Sequence, residues 1–512
     1  MSVKRVLVIA GSDSSGGAGL EADQRVLAAH GCYALTATTG LTAQNTLGVQ
    51  DIFVVPSEFV RKQINAGLED IGADVVKLGM LSSAETIDVI AETLQSHQVS
   101  HIVLDPVMVS TSGSQLLPEK AVKELRTKLL PMTTIVTPNI PEAQLLLKDA
   151  GLAVTEPTNL DGIIRLAKNL STLGPKSVLL KGGHIPLTED HKVAQSAEES
   201  SIVIDVLYDR ESDTTSLFDT EYLVSKNTHG TGCSLASAIA ANLAAGKDKV
   251  RAVHDAVRFV EAGIKTSFDL GKGSGPINHF HSIYTMPFAP GRFLEYLLGR
   301  PDVHKVWHPF THHEFVQRDG QGTLLVERFK EYLVQDYLYL IQFARSNALA
   351  AYKSQKMDSI AASSNIVLHI QREMALHLDY CASFGLSKRR SKHTRETIAC
   401  TAYSRFILDV GQSEDWLALQ MALAPCLHGY GAIAKRLHSS KDTLREGNPY
   451  MKWIENYVAD DYTEAVRIGA ALLEEHVHKV SPTRMEELIK IFVRATELEI
   501  SFWDMGLSDK KV

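Results

Sequence analysis

The sequence predicts a layered α/β domain, built on a mostly parallel sheet flanked by helices, followed by an all-helical domain. Up to about residue 280, short Val/Ile/Leu runs alternate with helical stretches, which is typical of such a sheet. After about residue 299 the strand signals vanish and apolar residues recur every three to four positions. All four tryptophans also lie in this second half. A length of 512 residues exceeds what one hydrophobic core normally organises, so at least two domains are expected.

The individual elements follow from the same periodicities. Predicted strands cover residues 75–78, 102–104 and 178–180, and predicted helices cover residues 57–71, 84–95, 325–344 and 485–504. A stretch rich in proline and glycine separates the halves and predicts a linker. We therefore expect domains at residues 1–285 and 304–512, joined by a linker at 286–303.

Charge and composition exclude several classes of partner. The net charge is −8 and no long basic run occurs, so we expect no nucleic-acid partner. Residues 5–10 read as a buried strand rather than a signal peptide, and the small-apolar run at 235–245 is too short and too rich in alanine to span a bilayer. Five scattered cysteines without paired spacing indicate thiols in a reducing compartment. We expect a cytoplasmic protein without a membrane partner.

A glycine cluster at residues 11–19 directly follows the first predicted strand and precedes a helical stretch. Its glycines can bring the backbone close to a ligand at the carboxyl end of the strand. A tight strand-to-helix turn without a ligand is the alternative interpretation.

A second glycine cluster at residues 227–233 opens a helical run at 234–245. Backbone N–H groups at such a helix end suit developing phosphoryl charge. Cys233 lies in the first turn, where the helix dipole favours thiolate and could lower the thiol pKa enough for a base toward a hydroxyl. The alternative is a small cysteine buried at a helix start.

Metal and nucleotide candidates lie between the two clusters. Asp105 follows a strand, Asn139 and Glu142 share a short motif, and Lys181 precedes two glycines. Oxygen ligands suit Mg²⁺, which is usually shared with substrate phosphates, and a lysine can reach a phosphate as a point charge. Taken singly, each carboxylate could instead be a solvated or capping group.

Several motifs of the first 280 residues form one pattern. They occupy residues 11–19, 23, 41–46, 79–80, 105–108, 139–142, 181–184 and 227–233. As a set they resemble the ThiD-type kinases of the ribokinase-like fold. The resemblance implies ATP- and Mg²⁺-dependent phosphorylation of 4-amino-5-hydroxymethyl-2-methylpyrimidine, and then of its monophosphate, to the diphosphate.

The same resemblance implies roles for particular residues. Gln44 would bond to the aminopyrimidine, Asp23 would orient the hydroxymethyl group, and Cys233 would be the base. The remaining implied residues are Gly11, Ala18, Met80 and Val107 around the pyrimidine, Gly230, Thr231 and Gly232 in an anion hole, Asn139 and Lys181 at ATP, and Asp105 and Glu142 at the metal. Pyridoxal kinase is the nearest enzymatic alternative, although Gln44 favours the pyrimidine.

The helical half carries a second group of reactive side chains. Asp336 and Tyr339 share one helix face at i, i+3 spacing within an apolar segment, where an Asp satisfied by a neighbouring Tyr is the alternative interpretation. Cys426 has Tyr430 one turn along, and Glu499 sits within a later predicted helix. A thiol can add to an electron-poor pyrimidine while a carboxylic acid protonates the ring and tyrosines stack on it.

These segments, with the motif at residues 307–310, resemble the TenA-like thiaminase II proteins of haem-oxygenase-like helical fold. By that resemblance Cys426 is the nucleophile, Asp336 holds the pyrimidine and Glu499 is the acid, while Tyr339, Tyr430 and Tyr457 frame the pocket. The implied reaction is hydrolysis of aminomethylpyrimidine to hydroxymethylpyrimidine and ammonia, with thiamine cleavage as a related activity. Leu427 and His428 stand where many members carry aromatics. We further expect a homo-oligomer whose ligands are small pyrimidines.

Two other classes of function remain open. One or both domains could be non-catalytic ligand-binding modules, although both cysteines stand in their expected motifs. A metal-dependent helical oxidase is suggested by His369, Glu373 and His377 at i, i+4, i+8 and by the Glu-x-x-His motif at residues 475–478. Di-iron bundles need two such motifs, and this half has one.

Overall fold

The computed structural model describes residues 3–108, 118–196, 198–385 and 394–508. The chain divides into two compact units, Met1–Ile283 and Tyr284–Val512. Each unit has its own hydrophobic core.

The first unit is built on one sheet. Its strands are β1 (Arg5–Asp13), β2 (Tyr33–Asn45), β3 (Gly48–Val54), β4 (Val75–Leu78), β5 (Ile102–Leu104), β6 (Ile135–Val136), β7 (Ser177–Leu180), β8 (Ile202–Asp209) and β9 (Thr214–Glu221). The strand order is β3-β2-β1-β4-β5-β6-β7-β8-β9. The six strands from β2 through β7 in this order pair in parallel, whereas β3, β8 and β9 pair antiparallel at the edges. The predicted mostly parallel sheet is confirmed.

Helices cover both faces of this sheet. They are α1 (Gly19–Ala29), α2 (Ser57–Asp70), α3 (Ala84–Ser96), α4 (Glu119–Glu124), α5 (Ile140–Asp149), α6 (Leu160–Ser171), α7 (Thr231–Ala244) and α8 (Lys249–Lys265). After α4 the chain continues through a π-helical turn, Leu125–Leu129, and a 3₁₀ turn, Leu130–Met132.

Alternation along β1 shows why the sheet has two cores. Leu7 and Ile9 contribute to the core shared with α2, α3, α5 and α6, whereas Val6 and Val8 contribute to the core shared with α1, α7 and α8. Successive side chains of a strand point to opposite faces, so a strand covered on both sides is apolar throughout. The uninterrupted apolar run of β1 is explained by this double burial.

The second unit is helical. Its helices are α9 (Phe293–Gly299), α10 (Pro301–Thr311), α11 (Glu314–Gly320), α12 (Val326–Lys353), α13 (Met357–Ser383), α14 (Ile398–Ser413), α15 (Trp416–Ser439), α16 (Met451–Val458), α17 (Asp460–Val477) and α18 (Pro482–Leu507). The core of this unit is aromatic around Trp503, whose ring stacks on Phe315 at 5.0 Å and on Phe310 at 6.3 Å. Such large, fully buried rings dominate the burial energy of a helical core.

The segment predicted as a linker, residues 286–303, differs from that expectation. It contains all of α9 and the first turn of α10. Phe293 and Leu297 of α9 are fully buried in the core of the second unit. The prolines that suggested a linker lie outside α9 or at N1 of α10, where proline is compatible with a helix start.

One helix among the described residues, α15, is long and apolar enough to cross a membrane by length and composition. Most of its apolar side chains are buried within the helical core. Its apolar character is therefore accounted for by its position at the centre of the second unit.

Gly429, in the middle of α15, gives a test of this packing. An added Cβ would lie 2.1 Å from Cε1 of Phe310, a ring that is fully buried. Gly429→Ala should therefore destabilise the unit by about 1–3 kcal/mol, as overpacking does, although alanine raises helix propensity by ~1 kcal/mol. Calorimetry should show a lower melting temperature for the second unit.

Gly431→Ala in the same helix is the matched control. Its Cβ would meet Val466 at 3.3 Å and Tyr462 at 3.5 Å, so only a small adjustment is needed. This variant should melt near the wild-type temperature. Equal melting temperatures for the two variants would show that Phe310 does not pack as described.

Candidate active sites

The first unit contains a cavity of about 1040 Å³ at the carboxyl ends of its parallel strands. Asp13 ends β1, Met80 and Asp105 follow β4 and β5, and Lys181 follows β7, and all four line the cavity. Ligands of open α/β sheets bind at this edge. The cavity therefore stands where the strand order predicts a site.

The two glycine clusters meet at this cavity. Gly230, the N-cap of α7, has φ +80°, and a Cβ on it would lie 1.8 Å from the carbonyl oxygen of Gly17. A Cβ on Gly11 would lie 2.1 Å from Cε of Met80, the flexible end of a side chain that can move aside. Only the approach at Gly230 is to backbone, so no larger residue fits there without a backbone shift.

Lys181 links the predicted nucleotide and metal residues. Its Nζ lies 2.9 Å from Oδ1 of Asp105 and 4.0 Å from Oε2 of Glu142. A Cβ on Gly232, at the start of α7, would lie 3.1 Å from that Nζ. The Lys181 ammonium, the carboxylates of Asp105 and Glu142 and the N-terminal end of α7 therefore lie close together in the cavity.

Glu142 also has a structural role. It forms a capping box with Asn139, in which the Asn139 N–H donates to Glu142 Oε2 at 2.8 Å and Asn139 Oδ1 accepts from the Glu142 N–H at 2.8 Å. Burial raises the pKa of Glu142 to about 7, with Lys181 opposing and Asp105 adding to the rise. Glu142 therefore caps α5, as the alternative interpretation held, and also lies at the predicted metal site.

The oxygen donors fit a hydrated Mg²⁺ that also binds substrate phosphates. Asp105 and Glu142 supply buried carboxylate oxygens, the type of ligand that Mg²⁺ prefers. No group of three or more His, Cys, Asp or Glu among the described residues could hold a metal alone. The pair therefore suits a cation whose remaining ligands come from water and substrate.

Cys233 lines the cavity in the first turn of α7, as predicted, but its predicted low pKa is wrong. Burial raises the pKa of the Cys233 thiol to about 12. The ammonium of Lys77 opposes this rise, whereas Asp23 and Asp105 add to it. Desolvation and two nearby carboxylates outweigh the effect of the helix dipole, which would lower the thiol pKa.

Asp23 does not occupy its predicted position against the hydroxymethyl group. It is fully buried and is not among the cavity-lining residues. Its carboxylate accepts from Lys77 Nζ at 2.9 and 2.8 Å and from Ser237 Oγ at 2.7 Å. Lys77 does line the cavity, so Asp23 contacts a residue of the cavity wall without lining the cavity itself.

The other predicted residues of this site do line the cavity. They are Gly11, Ala18, Gln44, Met80, Val107, Asn139, Gly230, Thr231 and Gly232. His229, which is not among the predicted site residues, also lines it and contacts Asp13 and Gln44. Asp205 lies there as well, and burial raises its pKa to about 6.

In the second unit, the predicted residues come from four helices, and a fifth helix contributes one more. Asp336 and Tyr339 lie on α12, Cys426 and Tyr430 on α15, Tyr457 on α16 and Glu499 on α18. Tyr403 of α14, which is not among the predicted residues, joins them. The rings of Tyr339 and Tyr403 stack at 4.9 Å, and those of Tyr430 and Tyr457 lie 5.2 Å apart.

Glu499 is the buried centre of this group. Its Oε1 accepts from the hydroxyl of Tyr403 at 2.8 Å. Burial raises the pKa of Glu499 to about 8; the Tyr403 hydroxyl opposes this, the charge of Asp336 adds to it, and Cys426 and Tyr430 oppose it more weakly. Glu499 is therefore a neutral acid at pH 7, able to donate a proton.

The thiol of Cys426 is partly exposed, whereas Asp336, Tyr339 and Tyr430 are buried. The buried hydroxyl of Tyr339 interacts with that of Tyr403, and burial raises the pKa of both phenols well above the usual value.

Leu427 and His428 face away from this group. A Cβ on Gly469 of α17 would lie 2.4 Å from Leu427 Cδ2 and 4.0 Å from His428 Nε2. Both side chains therefore pack toward α17. Their departure from the aromatic pattern therefore does not affect the stacked rings of Tyr339 and Tyr403.

Comparison with known proteins bears on both units. Residues 13–278 match the family described as phosphomethylpyrimidine kinase. This match covers more than half of the chain. The chain belongs to the phosphomethylpyrimidine kinase family. Residues 300–509 match the TENA/THI-4/PQQC family, so the predicted pairing of the two domains is confirmed.

Several relatives match across both domains. A Schizosaccharomyces pombe protein named as a hydroxymethylpyrimidine/phosphomethylpyrimidine kinase is 42% identical over 97% of this chain and 90% of its own length. Hydroxymethylpyrimidine/phosphomethylpyrimidine kinase THI20 of Saccharomyces cerevisiae is 33% identical over 98% of this chain and 95% of its own. Among solved structures, a phosphomethylpyrimidine kinase from Clostridium difficile 630 is 36% identical, covers 50% of this chain and 97% of its own, and has a TM-score of 0.42.

The residues that suggested a helical oxidase do not form a described metal centre. The side chains of His369, Glu373 and His377 lie outside the described residues. In the other motif, His478 Nε2 contacts Glu474 at 2.9 Å, while Glu475 faces Lys356 and Lys479. The side chains of Glu475 and His478 are thus engaged in separate contacts.

The pKa of Glu499 gives a prediction for stability. A carboxyl whose folded pKa of about 8 exceeds its unfolded pKa binds more protons in the folded state between these values. The free energy of unfolding should therefore fall as pH rises from 6.5 to 8, by at most ~1.4 kcal/mol per pH unit. Burial lowers the pKa of His428 from 6.5 to about 4. This residue makes the free energy of unfolding rise with pH, but only below pH 6.5.

Denaturant unfolding of wild type and Glu499→Gln at each pH measures this contribution. The amide cannot ionise, so the difference between the two proteins should shrink or reverse as pH rises through this window. Glu497→Gln, at an exposed position of the same helix, is the control and should leave the slope unchanged. Parallel curves for wild type and Glu499→Gln would contradict the raised pKa.

Proposed function

We propose that the first unit phosphorylates 4-amino-5-hydroxymethyl-2-methylpyrimidine and then its monophosphate, using ATP. The supporting observation is the convergence of Lys181, Asp105 and the start of α7 in one cavity, with Cys233 and Gln44 on the same lining. The proposed assignments are Gln44, Met80 and Val107 to the pyrimidine and Asn139 and Lys181 to the nucleotide.

In each transfer, the substrate oxygen bonds to the γ-phosphorus of ATP and the bond to the ADP oxygen breaks. Amides of Gly230, Thr231 and Gly232 at the start of α7 would stabilise the charge on the transferred group. Cys233 Sγ would take the hydroxyl proton in the first transfer. Because burial holds its pKa near 12, this role requires substrate binding to lower that pKa.

Asp105 and Glu142 would hold Mg²⁺. When bound, that ion would neutralise charge on the phosphates. Lys181 Nζ lies 2.9 Å from Asp105 Oδ1, so its ammonium would hold that carboxylate in position near the phosphates. The lysine and the two carboxylates together would position the transferred group.

We propose that the second unit hydrolyses aminomethylpyrimidine to hydroxymethylpyrimidine and ammonia. The supporting observation is a carboxyl with a pKa of about 8 beside a partly exposed thiol. Cys426 would add to the ring while Glu499 donates a proton to it and Asp336 holds the amino edge. Water would then supply the hydroxyl that replaces ammonia, and loss of the thiol would restore the ring.

The two activities would act in sequence on the pyrimidine half of thiamine. The hydroxymethyl group made in the second unit is the group that the first unit phosphorylates. A salvage role for the whole chain follows from this order of reactions.

The two cysteines test these assignments separately. Cys233→Ala should lower the kinase kcat by about 100-fold or more, because a single general base contributes at least that factor to the rate. The rate of ammonia release should not change. Cys426→Ala should abolish ammonia release and leave phosphorylation of hydroxymethylpyrimidine unchanged. Both rates should be measured on the full chain, with coupled ADP and ammonia assays.

Cys32→Ala and Cys400→Ala are the matched controls within the same units. Cys32 does not line the cavity, and Cys400 is a buried thiol whose Sγ faces the backbone oxygen of Gln335. Both should retain wild-type rates. Unchanged kinetics in the Cys233 or Cys426 variant would refute the corresponding catalytic role and favour a non-catalytic ligand-binding module.

A further inference from the structure

The side chain of Gln44 is held at the cavity by its backbone. Strand β3 carries one extra residue opposite the step from Ala43 to Gln44, which turns the pairing of β2 with β3. The backbone of Gln44 then bonds twice to Ser14 of the first glycine cluster, since its N–H donates to Ser14 Oγ and its carbonyl accepts from that hydroxyl, each at 2.8 Å. These bonds fix the backbone from which the Gln44 side chain enters the cavity lining.

The amide of Gln44 lies between two polar neighbours. Its Nε2 is 3.3 Å from Nε2 of His229, and its Oε1 is 3.2 Å from Oγ1 of Thr42. A half-turn of the amide exchanges these two atoms at almost no change in shape, so the orientation must be assigned from the hydrogen-bond network.

His229 decides one side of the assignment. Its Nε2 lies 2.8 Å from Oδ2 of Asp13. Burial raises the pKa of Asp13, but the hydrogen bonds from His229 and Ser15 outweigh burial and lower this pKa to about 2. The carboxylate is therefore ionised and can only accept hydrogen bonds. His229 Nε2 therefore carries a hydrogen, which it donates to Asp13, and has no lone pair to accept from an amide N–H. An amide N–H facing it would be repelled, so the amide atom on this side is the oxygen.

The contact with Thr42 determines which amide atom of Gln44 lies on the opposite side. Its single hydroxyl hydrogen is directed to the carbonyl oxygen of Ser12 at 2.9 Å, the shorter of its two contacts. Oγ1 is then an acceptor toward Gln44, and the amide atom facing it must be the nitrogen. Both neighbours thus require the turned amide.

We propose that His229, held by Asp13, is a specificity-determining positioning residue that fixes the Gln44 amide with its oxygen toward the imidazole and its nitrogen toward Thr42. One amide N–H and one oxygen lone pair remain for the cavity. An aminopyrimidine edge presents a donor amino group beside an acceptor ring nitrogen, which matches this pair. The amino group lies on the His229 side and the ring nitrogen on the Thr42 side.

An analogue with the amino group replaced by a carbonyl and the ring nitrogen protonated presents the reverse pattern. It would need the opposite amide orientation, which sets the amide N–H against the N–H of His229. The Asp13–His229 pair therefore rejects the oxo compound without touching it.

The test rests on the proposed kinase function and uses the full chain with ATP and Mg²⁺. The readout is the ratio of kcat/KM for the aminopyrimidine to that for its oxo analogue. His229→Leu removes the N–H and should lower this ratio about tenfold or more, the effect of one mispaired buried hydrogen bond. His229→Asn, shorter but still able to bond to Asp13, should lower it similarly and serves if the leucine variant folds poorly.

Gln44→Ala shows whether His229 acts through the amide. The ratio in His229→Leu/Gln44→Ala should equal that in Gln44→Ala alone, because the second change has nothing left to orient. A merely structural role for His229 would lower both kcat/KM values alike and leave the ratio within about threefold of wild type, which would overturn the proposal. The proposal would also be overturned if the His229→Leu and Gln44→Ala changes each lowered the ratio independently, so that their effects multiplied in the double variant.

Failure of the proposed kinase function has a different signature. Wild-type protein that phosphorylates neither pyrimidine would overturn that function and this inference together. Wild-type protein that prefers the aminopyrimidine, with an unchanged ratio in both His229 variants, would overturn this inference alone.

Discussion

The contact between two glycine-bearing loops sets the geometry of the first active site. Gly230 approaches the carbonyl of Gly17 so closely that no side chain fits between them. This approach brings the start of α7, with Cys233, to the loop that ends β1. It also brings His229 within hydrogen-bonding distance of Asp13. The proposed anion hole, base and pyrimidine contacts therefore depend on one backbone contact.

Burial, more than local charge, sets the chemistry of the proposed acid and base groups. Burial raises the pKa of Cys233, Glu142 and Glu499. For Glu499 this produces the neutral acid that ring protonation needs. For Cys233 the same effect opposes the proposed role, so the kinase site must gain its basicity when substrate binds. The same physical cause thus favours one proposed mechanism and constrains the other.

Much of the fold and most of the cavity lining follow from the sequence, because each depends on local patterns. Apolar runs predict β4 and β5, and glycine clusters beside a strand and a helix mark the loops that form the cavity. The position of Asp23 could not be predicted, because its partner Lys77 reads as one polar residue in an apolar strand. Tyr403 gave no signal either, since a single tyrosine on an amphipathic helix usually packs in a core. The pKa of Cys233 depends on two carboxylates brought close only by the fold.

The most direct test of this account is the kinase kcat/KM of Gly230→Ala compared with Gly246→Ala. Both glycines flank α7 with positive φ, +80° and +87°, but a Cβ at Gly246 meets no atom within 4 Å. Both variants carry the same backbone strain, and only the first breaks the loop contact. The account predicts a loss of about 100-fold or more in Gly230→Ala, with near wild-type activity in Gly246→Ala. Equal activity in the two variants would contradict it.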